Sequence, residues 1–290
     1  MSEMMHGLLP DTDYLEITAR SGRTYGIWVT APPDYADSKD PLPLVYVVDG
    51  NFAVGLTAPL IITQADPSLD VAPYIQVSIG YAGQEAASWA TRRNRDLVPP
   101  GEPVGEEART ALETALDSGA MTQEQVDAYL AELSDTRADV FLDFLTGELH
   151  PRLRERFRVS ESGHGLFGYS YGGLFALYAW LRGAPIFATF GAGSPGVVGA
   201  DSTVFELIDT LPERGANAPR LHLTLNDAEL LGEIPVHRAM GRHVLEVLEA
   251  LRRTGHAGCI SSAILRETHL TGLQASFLDY LTTCRSVQAR

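Results

Sequence analysis

Residues 165–180 read Gly-Leu-Phe-Gly-Tyr-Ser-Tyr-Gly-Gly-Leu-Phe-Ala-Leu-Tyr-Ala-Trp, with Ser170 at the centre of a Gly-x-Ser-x-Gly pattern. An apolar run typical of a strand precedes Ser170, and a run typical of a helix follows it. A serine at a strand-to-helix junction is forced through a tight turn, which holds its Oγ clear of the sheet. The neighbouring glycines allow the close backbone approach that this turn needs. The stretch predicts a nucleophile elbow; the alternative is a glycine-rich turn that carries an inert serine.

Buried strands alternate with helical stretches along the rest of the chain. An alternating pattern around Ser21-Gly22-Arg23 predicts an antiparallel hairpin near the start. This order predicts an α/β fold with a mostly parallel central sheet and helices on both faces. The 290 residues are enough for one such domain, spanning 1–290. Continuous apolar runs, typical of strands covered on both faces, lie at 44–48, 74–79, 165–169, 189–192, 221–225 and 260–265.

The connection between Ile79 and Asp139 is far longer than the usual connection of about 2–6 residues. Two helices are expected inside it, the second beginning with a capping box at Thr122 and Gln125. In a parallel sheet this connection leaves from the carboxyl edge, where ligands bind. We therefore expect residues 98–136 to form a helical cap over the site. A helical pair packed on the flank of the domain is the alternative.

The partners of Ser170 are expected in the C-terminal part, because serine, acid and histidine follow one another in this order on such a sheet. His269 comes directly after the last predicted strand and is the expected base. Asp227 and Glu229 follow the strand before it, and we favour Glu229 as the acid that holds the imidazole. A Ser–His pair without a strong acid is a further alternative. The competing histidines are His6, His150, His164, His222, His237, His243 and His256.

An oxyanion hole needs two backbone N–H groups aimed at the place where negative charge develops. Tyr171, which follows the elbow serine, is expected to supply one of them. The other is expected after the third strand, where Gly50 lets the backbone approach closely, so that Gly50 or Asn51 is the donor. A turn in which Asp49 caps the following helix is the structural alternative, and both roles are compatible.

Arg92, Arg93 and Arg95 form the one dense basic patch of the sequence, in a loop expected to begin the long connection. Guanidinium groups there would bind a substrate carboxylate or phenolate. For Arg95 we favour an ion pair with Asp96 or another acid that holds the loop. For Arg92 and Arg93 the binding role and the structural role are both left open.

The formal net charge of −15 opposes binding to nucleic acid or to an anionic membrane. No apolar run is long enough for a membrane-spanning helix, and residues 1–7 lack the pattern of a signal peptide. Neither a metal nor a cofactor is expected, because zinc motifs, a P-loop and a dinucleotide fingerprint are absent from the sequence. Cys259 and Cys284 lack a CxxC spacing, which indicates free thiols and a cytoplasmic location.

Several segments, in the expected order, resemble the putative-esterase family of α/β-hydrolases, which holds esterase D and the siderophore (enterochelin-type) esterases. The resemblance implies Ser170 as nucleophile, His269 as base, and Tyr171 with the Gly50–Asn51 turn as oxyanion hole. The family often has Gly-x-x-Glu after its seventh strand; here Asn226 replaces the glycine and Glu229 matches the glutamate. The matching segments are Val47-Val48-Asp49-Gly50-Asn51, Arg93-Asn94-Arg95-Asp96-Leu97-Val98-Pro99, residues 141–151, residues 168–177 and Glu267-Thr268-His269.

Together these features predict a serine hydrolase that cleaves a carboxylic ester through an acyl-enzyme. The expected substrate is a small molecule such as a lactone or a siderophore-like or other secondary-metabolite ester. An acyltransferase with the same residues and a non-catalytic binding protein on the same fold are the alternatives. The acidic chain suits an anionic catecholate poorly unless the three arginines offset the charge. The oligomeric state is left open between a monomer and a homodimer.

Overall fold

The computed structural model describes residue 9, residues 11–212 and residues 218–286 of the chain. The sequence-based predictions for residues 1–7, including His6, lie outside this range. Eight strands form one sheet in the described part: β1 (Thr12–Thr18), β2 (Thr24–Thr30), β3 (Leu44–Val47), β4 (Ile75–Tyr81), β5 (His164–Tyr169), β6 (Phe187–Gly193), β7 (Arg220–Asn226) and β8 (Ile260–Leu265).

The strands lie in the spatial order β1-β2-β4-β3-β5-β6-β7-β8. The hairpin of β1 and β2 is antiparallel, and β2 runs antiparallel to β4. All other neighbours pair in parallel. The mostly parallel sheet predicted from the sequence is confirmed. Its parallel strands end at one common edge, which therefore collects the loops that follow β3, β5, β7 and β8.

Eleven α-helices surround the sheet in the described part of the chain. They are α1 (Gly50–Thr57), α2 (Trp89–Leu97), α3 (Glu106–Asp117), α4 (Gln123–Ser134), α5 (Ala138–Phe144), α6 (His150–Arg156), α7 (Tyr171–Leu181), α8 (Thr203–Asp209), α9 (Asp227–Leu231), α10 (Pro235–Arg253) and α11 (Gly272–Cys284). A π-helical turn, Leu145–Leu149, joins α5 to α6, and Pro151 is the second residue of α6, directly after this irregular turn.

Alternate residues of the central strands separate the interior into two cores, one on each face of the sheet. In β3, Leu44 and Tyr46 face one core, whereas Val45 and Val47 face the other. Helices α5, α7 and α10 cover the first face, and α1 and α11 cover the second. Because both faces of the strands are buried, the apolar runs are continuous rather than alternating.

The insertion begins at Val98, directly after α2, and contains α3 and α4. The capping box predicted for the second helix is present, with Gln125 N–H bonded to Thr122 Oγ1 and Thr122 N–H bonded to Gln125 Oε1. The carboxylate of Glu102 accepts hydrogen bonds from the backbone and hydroxyl of Thr203, which tie the start of the insertion to α8. Within the described ranges, no helix has the length and apolarity needed to cross a membrane.

Candidate active site

Ser170 lies at the sharp turn between β5 and α7. Its backbone angles are φ 60° and ψ −121°, which is a strained combination for a residue with a side chain. The Ser170 N–H donates to the carbonyl oxygen of Gly193 at 2.9 Å, and the Gly196 N–H donates to the carbonyl of Ser170 at 2.9 Å. A Cβ on Gly168 would lie 2.0 Å from the carbonyl oxygen of Gly172, so this position has room only for glycine.

His269 and Glu229 complete a chain of hydrogen bonds that begins at Ser170. His269 Nε2 lies 3.1 Å from Ser170 Oγ, and His269 Nδ1 lies 2.7 Å from Glu229 Oε1. A carboxylate can only accept a hydrogen bond, so Nδ1 carries the ring proton and Nε2 is left to accept from the serine hydroxyl. The turn after β5, the helix α9 after β7 and the loop after β8 bring the three side chains together at the common strand edge, although they are far apart in sequence.

Glu229 is fully buried, with no exposed surface. Burial alone would raise its pKa, but hydrogen bonds from His269, Asn226 and Ser194 outweigh that effect and lower the pKa below its ordinary value of 4.5. The Asn226 N–H and the Ser194 hydroxyl donate to Oε2 at 2.9 and 2.8 Å. The carboxylate therefore stays ionised and fixes the histidine ring. No sequence pattern predicts the contact of Ser194 with Glu229. The spacing of Asn226 and Glu229, in contrast, is typical of a helix start and can be read from the sequence.

Asp227 is the first residue of α9, and no side-chain hydrogen bond to His269 is found for it within the described residues.

Of the described histidines, His269 alone hydrogen-bonds to Ser170. His164 lies on β5, His222 on β7, His237 and His243 on α10, and His150 on α6. The ring of His237, one of the competing histidines, packs against that of His269 with centroids 4.6 Å apart. Burial and the neighbouring His269 lower the pKa of His237, which keeps this second imidazole neutral.

Tyr171, Gly50 and Asn51 occupy helix starts, as an oxyanion hole requires. Tyr171 opens α7, and Gly50 and Asn51 open α1; first-turn N–H groups of a helix have no acceptor within it. The Asn51 side chain fixes α1 on β4 through hydrogen bonds with the main chain of Tyr81, at 2.6 and 3.0 Å. Asp49 precedes α1 in a left-handed conformation, but its side chain makes no capping hydrogen bond. It binds Arg93 instead.

The three arginines lie on α2 and not in a loop, which corrects the sequence-based placement. Each is paired with an acid. Arg92 binds Glu132, Arg93 binds Asp49, and Arg95 lies 3.4 Å from Asp135 rather than pairing with Asp96. Asp96 binds Arg23. These pairs join α2 to the insertion and to the start of α1.

A second hydrogen-bonded trio of the same residue types lies elsewhere on the sheet. His222 Nδ1 is 2.8 Å from Ser261 Oγ, and His222 Nε2 is 2.7 Å from Asp279 Oδ2. Ser261 sits inside β8, paired with His222 in the ladder. An extended strand offers neither a strained turn nor a helix start beside the hydroxyl. The trio joins β7, β8 and α11 without the surroundings of a nucleophile.

The chain belongs to the family described as Putative esterase, whose model matches residues 18–202. This match covers more than half of the chain and includes the elbow, the Gly50–Asn51 segment and the three arginines. Glu229 and His269 lie beyond the matched range.

Two curated relatives share part of the sequence. The chain is 32% identical over 198 residues to the siderophore triacetylfusarinine C esterase of Aspergillus fumigatus, a match that covers 65% of this chain and 57% of the relative. It is 25% identical over 192 residues to the ferri-bacillibactin esterase BesA of Bacillus subtilis, covering 65% of this chain and 60% of the relative. The chain thus spans less than two-thirds of the length of these relatives.

Among solved structures, the siderophore hydrolase EstB from Aspergillus nidulans superimposes with a TM-score of 0.75 at 23% identity. The superposition covers 96% of this chain and 95% of that one. A likeness at this identity establishes the fold. The α/β-hydrolase fold predicted from the sequence is confirmed.

Replacing Glu229 with Gln should lower kcat by about 10²–10⁴-fold, because the amide no longer holds the imidazole in its working tautomer. Asp227→Asn is the discriminating variant and should retain activity. Ester hydrolysis assays of both proteins provide the measurement. A larger loss of kcat in Asp227→Asn than in Glu229→Gln would indicate that Asp227, and not Glu229, is the acid.

The same substitution should also change how stability depends on pH. Since the folded pKa of Glu229 lies below its ordinary value of 4.5, its stabilising contribution is present above that value and is lost as pH falls through the folded pKa. Thermal unfolding between about pH 3 and 7 should therefore show a shallower acid decline for Glu229→Gln than for the unmodified protein. Equal declines would contradict the lowered pKa.

Proposed function

We propose that this protein is a serine hydrolase that cleaves a carboxylic ester of a small molecule through an acyl-enzyme. The observation that carries the proposal is the continuous hydrogen-bonded chain from Ser170 through His269 to Glu229, built on a strained elbow. A hydroxyl is a weak nucleophile until an adjacent base accepts its proton. Here the base is within reach, and a buried, ionised acid orients it.

In this mechanism Ser170 Oγ attacks the ester carbonyl while His269 Nε2 takes the hydroxyl proton. The imidazolium that forms is stabilised by Glu229. The N–H groups of Tyr171 and of Gly50 or Asn51 would receive the negative charge on the carbonyl oxygen. His269 then gives its proton to the leaving alkoxide, which departs as an alcohol. A water molecule attacks the acyl-enzyme by the same route, releasing the acid and restoring Ser170.

We infer that the substrate is a siderophore-like ester without a negative charge near the scissile bond. The printed activities of the two curated relatives, both siderophore esterases, support the class. The inferred preference for an uncharged substrate comes from two features of this chain. Its net charge is −15, and acidic side chains pair with all three arginines of α2, Arg92, Arg93 and Arg95. The arginines therefore do not offset the repulsion of an anionic substrate.

We further propose that residues 98–136 act as a cap within a single domain. Tyr129, on α4, donates a hydrogen bond from its hydroxyl to that of Tyr171 at 3.2 Å. The insertion thus reaches the residue next to the nucleophile, which favours the cap over packing on the flank alone. Cytoplasmic location, inferred from the lack of a CxxC spacing in the sequence, and a homodimer stay predictions. Light scattering of the purified protein tests the second.

A fluorophosphonate should label Ser170, and Ser170→Ala should lose both labelling and ester turnover while keeping its fold. Mass spectrometry of the adduct and p-nitrophenyl ester assays provide the measurement. Ser261 serves as an internal control, because it is hydrogen-bonded to a histidine but lacks an elbow. Label on Ser261, or turnover in the folded alanine variant, would contradict the assignment of the nucleophile.

Neutral esters should be hydrolysed with a higher kcat/KM than matched esters that carry a carboxylate. Added salt should raise kcat/KM for the anionic ester and leave the neutral one nearly unchanged, because it screens the repulsion by the acidic protein. The pair p-nitrophenyl valerate and mono-p-nitrophenyl glutarate, which have acyl chains of equal length, tests this at low and high salt. A preference for the glutarate that salt weakens would indicate a cationic binding site instead.

Replacing residues 104–134 with a short glycine-serine linker should change the preference among p-nitrophenyl esters of graded chain length, because the cap would no longer contact the acyl chain. Tyr129→Ala is the milder variant and should change the preference in the same direction. Circular dichroism controls for folding. An unchanged preference in both folded variants would indicate a helical pair on the flank.

A further inference from the structure

Arg93 holds together two segments that are remote in sequence. Its side chain extends from α2 and is 14% exposed. Nε lies 2.6 Å from Asp49 Oδ1 and Nη2 lies 2.6 Å from Asp49 Oδ2, which is the two-point pairing that a guanidinium and a carboxylate prefer. Asp49 is itself buried and immediately precedes Gly50. One end of this contact therefore lies at the start of α1.

The other contacts of Arg93 lie at the elbow. Its Nη2 is 3.4 Å from the carbonyl oxygen of Tyr169, the residue before Ser170. Its guanidinium carbon is 5.4 Å from the ring centroid of Tyr171, the residue after Ser170. A Cβ added to Gly172 would lie 2.9 Å from Asp49 Oδ2, so the carboxylate packs directly on the first turn of α7.

We propose that Arg93 is a positioning residue that fixes the two halves of the oxyanion hole relative to each other. The inference rests on the proposed function, because it assigns the two halves to Tyr171 and to Gly50 or Asn51. These N–H groups belong to different helices, α7 and α1, and the Arg93–Asp49 pair bridges the residues beside both. Donors that wait for a developing charge are effective only if they are held in place beforehand.

The same geometry argues against a substrate anion on Arg93. Both carboxylate oxygens of Asp49 are bound by the guanidinium, so the pair carries no net charge towards a ligand. A lysine would keep the charge but not the fork, and could not bind both oxygens of Asp49 while reaching Tyr169. The requirement is therefore for the shape of arginine as well as for its charge.

The test compares Arg93→Met, Arg93→Lys and Asp49→Asn on a neutral ester, p-nitrophenyl acetate, and an anionic one, mono-p-nitrophenyl glutarate. For Arg93→Met we expect kcat to fall about 10²-fold, the loss typical of a displaced oxyanion donor. KM should change less than about threefold, and the loss should be equal for both esters. The kcat of Arg93→Lys should lie between those of Arg93→Met and the unmodified protein. Asn tolerates the left-handed conformation of position 49, so Asp49→Asn tests the pair without disturbing the turn.

Arg23→Met is the matched control for the loss of a buried ion pair. Arg23 binds Asp96 with both carboxylate oxygens 3.1–3.2 Å away, and these side chains are 12% and 7% exposed, close to the 14% and 6% of Arg93 and Asp49. Both methionine variants should lower Tm by about 5–15 °C. Only Arg93→Met should lose kcat per active site, with sites counted by fluorophosphonate labelling.

The outcomes separate this proposal from the proposed function. An unmodified protein that is neither labelled at Ser170 nor active on any ester would overturn both. The positioning role alone would be overturned if the unmodified protein is active but its Arg93 variants keep kcat per labelled site. It would also be overturned if the only change in these variants is a higher KM for the glutarate. If Arg93→Met does not fold, then Arg93→Lys and Asp49→Asn decide, and full kcat in both would equally overturn it.

Discussion

The strained turn at Ser170 is the constraint on which the site depends. A side chain at φ 60° is tolerated only where the surroundings determine the backbone. Here the surroundings are the carbonyl of Gly193, the N–H of Gly196 and the glycine-only approach between Gly168 and Gly172. The sheet and α7 together therefore hold the turn. Apolar burial in the cores on both faces of the sheet offsets the free-energy cost of its strained backbone.

Each charged group around this turn has close partners that stabilise it. Glu229 is buried and ionised but accepts hydrogen bonds from several donors, and the arginines of α2 are bound by acids. Close charge pairs in a buried setting are screened little and act mainly on each other, whereas the surface charges act on a ligand that approaches from solution. Such a site can work within a strongly acidic protein as long as its substrate brings no negative charge.

The sequence was sufficient for features that repeat or follow chain order. The apolar runs predicted the sheet, the Gly-x-Ser-x-Gly pattern pointed to Ser170, and chain order pointed to His269. Which of Asp227 and Glu229 contacts His269 could be seen only in the structure. Residues two apart on a helix point about 200° apart, and the sequence did not locate the start of α9 closely enough. The arginines were misplaced in a loop because α2 is short and polar. The contact between His237 and His269 joins distant segments and leaves no periodic signal.

The trio of Ser261, His222 and Asp279 has a consequence for recognising active sites by comparison of coordinates. Its distances of 2.8 and 2.7 Å are as good as those at Ser170. His222 turns Nδ1 to its serine, whereas His269 turns Nε2 to Ser170. A search template that specifies only a serine, a histidine and an acid within these distances would therefore retrieve two sites from this one molecule. Adding the backbone dihedrals of the serine would leave one of them, because only Ser170 among these two has a positive φ. In this fold, the main-chain conformation of the serine distinguishes two sites that the hydrogen-bond distances alone do not.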